Sequence, residues 1–174
     1  MHLTMIPSWL AVPVAMGLLA SVLWAMFSDL RSRRIPNQAS AAIAAFWIVQ
    51  AVCSGAVTDS LLALLGAAGV FAGGLLFWRF GWLGGGDVKL LAALSLWAGG
   101  PLLLPFLLLT TLLGGVLTLA QLSLARGAAM AIGMGAPGRR LSPALVGSGR
   151  PLAVPYGLAI GAAGLGAGYQ QIWP

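Results

Sequence analysis

Six apolar runs make up most of this chain, and every lysine and arginine lies within or beside alternate breaks between them. The runs are Ser8–Phe27, Gln38–Cys53, Ser60–Trp78, Val88–Gly99, Leu102–Ala125 and Pro151–Trp173. At 1.5 Å per residue, about 20 residues cross the hydrocarbon of a bilayer, and about 17 is the lower limit. Val88–Gly99 is too short alone, so its flanks must extend it, the bilayer must thin around it, or it must be partly re-entrant. Only 7% of residues are charged and 60% are hydrophobic. Soluble domains carry about 25% charged residues, so a water-exposed globule is excluded. The expected fold is all-α, a polytopic membrane helix bundle forming a single domain over residues 1–174. It should have about six transmembrane segments, the fourth short.

The charges orient this bundle. Arg31, Arg33 and Arg34 follow the first run, Arg79 and Lys89 bracket the third break, and Arg126, Arg139, Arg140 and Arg150 fill the fifth. Six spans place all three breaks on one side, which the positive-inside rule assigns to the cytoplasm, with both termini outward. The basic excess therefore reads as a topology signal facing anionic lipid, not as a nucleic-acid surface. The first run lacks a basic n-region and leads straight into Asp29 and the arginines, so it reads as a retained helix rather than a signal peptide. Trp9, Trp97 and Trp173, near run ends, read as interfacial anchors. Arg126–Arg150 reads as a Gly-, Pro- and Arg-rich loop, its Ala128–Met134 part a short amphipathic turn on the membrane surface. Gly73 in the third run reads as a close helix-packing position.

Acidic residues are scarcer still: Asp29, Asp59 and Asp87, with no glutamate. Thr58-Asp59-Ser60 precedes an apolar run on the outward side and reads as a helix N-cap. Asp29 and Asp87 both fall at the basic side, where carboxylates beside membrane spans are costly and suspect as functional groups. One histidine (His2) and one cysteine (Cys53) exclude a HExxH site without glutamate, an intrachain disulfide and a cysteine-cluster metal site. Both read as bystanders, and no metal or cofactor is expected. Were the chain a hydrolase, Asp29 and Asp87 would have to carry the acid–base chemistry. Two neighbouring carboxylates share one proton. The ionised member can take a proton from water while the protonated one donates to a carbonyl oxygen. Gly84, Gly85 and Gly86, just before Asp87, suggest an irregular backbone that another strand can approach closely.

Gly84-Gly-Gly-Asp-Val-Lys-Leu90 matches the GxGD signature of aspartic membrane proteases, and its Gly-Gly-Asp-x-Lys-Leu form resembles the type IV prepilin peptidases. Asp29 followed by Arg34-Ile-Pro-Asn37 resembles the first catalytic segment of that family, and Val154-Pro-Tyr-Gly-Leu-Ala159 its late Pro-aromatic-Gly motif. The resemblance implies that Asp29 and Asp87 are the catalytic pair. It also implies prepilin substrates with a short basic leader, a glycine before the scissile bond and an apolar helix after it, cleaved at the cytoplasmic face of the bacterial inner membrane. Long members carry a domain with paired CxxC motifs and also N-methylate the new terminus. This chain has neither that domain nor the cysteines, so it is similar to the short peptidases of Flp-type (tight-adherence) pili. Pro143-Ala-Leu145 matches a presenilin element but stands in the basic loop without its Tyr-Asp partner, and reads as coincidence.

The remaining candidates keep two readings. Lys89 is either an anchor or a group that binds substrate or stabilises ionised Asp87. Pro36-Asn37 either starts the second helix, with Asn37 as N-cap, or supports Asp29. Pro155-Tyr156-Gly157 is either a kink or part of the substrate wall. A small proton-coupled transporter, which would place polar groups near the midplane and show repeats, and a non-catalytic pilus-assembly subunit are the competing functions.

Overall fold

Long apolar runs have one economical way to satisfy their backbone away from water, the α-helix. The computed structural model describes residues 8–133 and 156–172, with side chains described for 9–124 and 156–172. Among them all regular structure is helical: α1 (Ser8–Ser32), α2 (Asn37–Ser54), α3 (Val57–Arg79), α4 (Gly85–Gly133) and α5 (Tyr156–Ile172). Three stretches, Trp9–Ser32, Val57–Arg79 and Gly85–Leu124, are long and apolar enough to cross a membrane.

The last of these is a hairpin. Gly99 stands at φ 59°, ψ −169°, a region open essentially to glycine alone, and Pro101 follows it. Packing partners give the directions on either side. Before the break, Gly85 lies against Trp78 and Val88 against Gly74, antiparallel to α3. After it, Gly100 faces Leu62 and Leu103 faces Gly66, parallel to α3. The chain therefore turns back at Gly99. Gly99→Ala should cost about 1–3 kcal/mol of backbone strain, read as a lowered Tm in detergent. Gly100→Ala, whose Cβ would meet Leu62 at an ordinary 3.8 Å, should leave Tm nearly unchanged.

The first limb of α4, residues 85–98, is about 21 Å long, short of a bilayer's roughly 30 Å core. Its burial resolves the difficulty. Val88, Leu90, Leu94 and Trp97 are at most 1% exposed, because α2, α3 and α5 surround this limb. A helix walled by protein need not match the lipid thickness. Trp97 is thus no interfacial anchor: it is fully buried, and its Nε1–H donates to the Ile43 carbonyl of α2 at 3.0 Å. A buried indole needs such a partner. Trp9 is exposed, and Trp173 and His2 lie outside the described residues.

Two boundaries differ from the sequence reading. Asp59 is not an N-cap: α3 begins at Val57 after Ala56, which makes no side-chain cap bond. Asp59 instead lies exposed in the first turn, where the helix dipole still favours an acid. The helix of the fifth run continues to Gly133, so 126–133 is helical rather than loop. The rest of that loop lies outside the described residues.

At its far end α3 closes tightly. Gly81 (φ 74°) donates its N–H to the Trp78 carbonyl and Trp82 donates to Phe77, each at 2.9 Å. The Phe77 and Trp82 rings stack at 5.8 Å. This Schellman closure with its apolar contact stops α3 sharply and leaves only a short link to Gly84.

Candidate active site

Asp29 lies near the end of α1, only 6% exposed. A carboxylate beside a membrane span is costly unless it is paired, so its partner matters. The Gly157 backbone N–H donates to Asp29 Oδ2 at 2.9 Å. Gly157 is the second residue of α5, where helix N–H groups lack intrahelical acceptors, and Asp29 satisfies one from another helix. Glycine permits the approach: a Cβ there would stand 2.7 Å from Oδ2 and 3.0 Å from Cγ. Tyr156, half-buried, seats its ring on Gly114 in the second limb of α4, with its hydroxyl 3.4 Å from Thr118 Oγ1. That limb thereby fixes the start of α5.

After α1 the chain turns. Arg33 adopts φ 52° and donates its N–H to the Asp29 carbonyl at 2.8 Å, while the Ser28 hydroxyl donates to the Arg34 carbonyl at 2.7 Å. Ile35 then lies over Gly86, where a Cβ would come within 3.1 Å of its own Cβ. Pro36 occupies the N-cap position of α2, and Asn37 is its first helical residue. Asn37 is therefore not the cap. Its Oδ1 accepts a hydrogen bond from Lys89 Nζ at 2.9 Å. The segment leaving Asp29 is thus fastened at two points to the helix that carries Asp87.

Asp87 is half-buried in the first turn of α4. Gly85 and Gly86 are already helical, contrary to the irregular stretch expected. Only Gly84 is outside, because the N–H groups at a helix start need no intrahelical partner and so tolerate glycine. The Asp87 carboxylate lies close against Gly84 at the start of the helix, where the helix dipole favours an acid. A Cβ on Gly84 would stand 2.7 Å from Asp87 Oδ2. In the GxGD pattern, then, the first glycine makes room for the acid itself and the second for Ile35.

The two acids meet. Asp29 lies near enough for its charge to act on Asp87, and Arg33 near enough to act on Asp29. Arg31, Arg33, Arg34, Arg79 and Lys89 are all exposed. Asp59 is at the other end, close in sequence to Leu62, which packs beside the Gly99 turn. Of the sequence candidates, Asp29, Asp87, Gly84, Gly85, Gly86, Lys89, Pro36, Asn37, Tyr156 and Gly157 gather at one end of the bundle. Pro155 lies outside the described residues. One carboxylate is thus buried and the other partly open, each within reach of the other's charge.

Residues 16–119 match the type IV leader peptidase family. The chain belongs to the type IV leader peptidase family. Neither the curated proteins nor the solved structures give a significant match. Type IV leader peptidases are proteases that act on prepilins, and the matched stretch contains both Asp29 and Asp87. It ends before α5, so the Gly157 contact to Asp29 lies beyond the part of this leader peptidase that the family match covers. Sequence reasoning took Gly157 for kink or wall and missed that it touches the acid. A signal was present: Gly157, Gly161, Gly164 and Gly168 recur at helical spacing, the mark of a closely packed face.

Proposed function

We propose that this peptidase is an aspartic endopeptidase of the short, Flp type, in which Asp29 and Asp87 activate water to remove a basic prepilin leader at the cytoplasmic membrane face. The observation that carries the reading is that these two acids lie within reach of each other's charge at one end of the bundle, one fastened by α5 and the other at the start of α4. Helix directions alternate along α1, α2, α3, the two limbs of α4 and α5, which supports six traverses. The exposed basic residues beside the acid pair support a cytoplasmic site.

In this mechanism the apolar helix of the prepilin stays in the bilayer and docks laterally, its basic leader toward the cytoplasm. One carboxylate, ionised, takes a proton from water as the oxygen attacks the scissile carbonyl. The other, protonated, donates to the carbonyl oxygen. The tetrahedral intermediate then expels the amine, which receives a proton from the acid that took one from water, while the other carboxylate takes its proton back from the intermediate's hydroxyl as the carbonyl re-forms. No covalent enzyme intermediate forms, and both carboxyls return to their starting states.

The test is cleavage of a synthetic prepilin segment by detergent-purified protein, followed by mass spectrometry. Cleavage after the leader glycine is expected, unchanged by EDTA or by serine- and thiol-directed reagents, because the chain has no glutamate and one histidine. Loss of activity with EDTA and recovery with zinc would overturn the aspartic reading.

A further inference from the structure

We infer that Gly157 is a positioning residue: its backbone N–H, presented by the start of α5, holds the Asp29 carboxylate in the geometry that the reaction needs. This rests on the acid-pair reading above and assigns the last helix a part in it. The contact is buried, 2.9 Å long, and joins residues 128 apart in sequence. It is also directional, since the donor is a helix-start N–H whose orientation the whole of α5 fixes. Two further features keep that donor in place. Tyr156, its neighbour, is seated on Gly114 and Thr118 of α4. One turn on, Gly161 packs against Met26 and Val22 of α1, and Gly168 against Leu18. The α1–α5 seam is thus closed along its length, and Gly157 is the point at which it meets a carboxylate rather than an apolar side chain. The Gly157 amide proton is taken up by Asp29, so its effect belongs in the chemical step and not in prepilin binding.

Gly161→Ala supplies the control. It adds a methyl to the same seam, where the Cβ would stand 2.5 Å from Met26 Cγ, but meets no acid. Positioning predicts that Gly157→Ala lowers kcat by roughly 100-fold with KM within about threefold, a loss at least about tenfold greater than crowding the seam causes in Gly161→Ala. Equal losses in the two variants would mean that Gly157 serves packing alone. A second measurement removes the donor without adding an atom to the seam. Placing glycolic acid at position 157 turns the 156–157 peptide into an ester, and kcat should fall by about tenfold or more with KM unchanged. An ester protein with wild-type kcat overturns the inference, and this variant decides if Gly157→Ala does not fold. Asp29→Asn separates the two levels. An active Asp29→Asn protein sinks the acid-pair reading itself, while an inactive one beside a fully active ester protein sinks only the role of Gly157.

Discussion

Asp29→Asn and Asp87→Asn should each lower prepilin cleavage by roughly 10³-fold or more, the scale on which general acid–base groups act. Asparagine keeps the shape of aspartate and still offers Asp29's place an acceptor for the Gly157 N–H, so the bundle should assemble and insert normally. What it cannot do is take or hold a proton. Because the two acids act on one proton as a unit, the double variant should be little slower than either single one. Asp59→Asn, exposed in the first turn of α3 at the far end, should retain nearly full activity. Initial rates on a prepilin segment, compared at matched Tm, provide the measurement. Wild-type turnover in either single variant would end the mechanism.

Gly86→Val should be the next most damaging change. A Cβ at Gly86 already meets Ile35 Cβ at 3.1 Å, and valine's two further methyls would press the 33–37 segment away from α4. That displacement separates the segment leaving Asp29 from the helix bearing Asp87. A shift of about 1 Å between reacting groups can cost roughly 100-fold in rate. Gly73→Val is the fitting comparison, for a reason other than the one its sequence suggested. Gly73 has nothing within 4 Å of a Cβ, and it is Gly74 that packs closely, against Val88. Gly73→Val should therefore cleave within about threefold of wild type. Normal kcat/KM in Gly86→Val would mean that the Ile35 contact does not hold the acids together.

The helices and the location of both acids were legible because charge placement in an apolar chain has few interpretations: Arg31 to Arg34, Arg79 and Lys89 had to share a side. Even the turn at Gly99 was foreshadowed by Gly99-Gly-Pro101. Reading failed where tertiary packing, not periodicity, decides. Trp97 looked like an anchor from its place near a run's end, yet α2 covers it and its indole bonds to Ile43. Asp59 and Asn37 carried cap chemistry, but the helices start two residues earlier and at Asn37 itself, so neither side chain caps. The Lys89–Asn37 bond and the Gly157–Asp29 bond join segments far apart in the chain, and no local pattern announces such pairs.

The contact between Asp29 and Gly157 also has a meaning in time. A chain is made from its N-terminus, so Asp29 and Asp87 leave the ribosome well before α5 exists. Until that last helix is placed, the buried carboxylate of Asp29 lacks the amide that holds it. On the proposed mechanism, a half-made chain would carry both acids without the amide that holds Asp29, and the placing of α5 would be the event that completes the site.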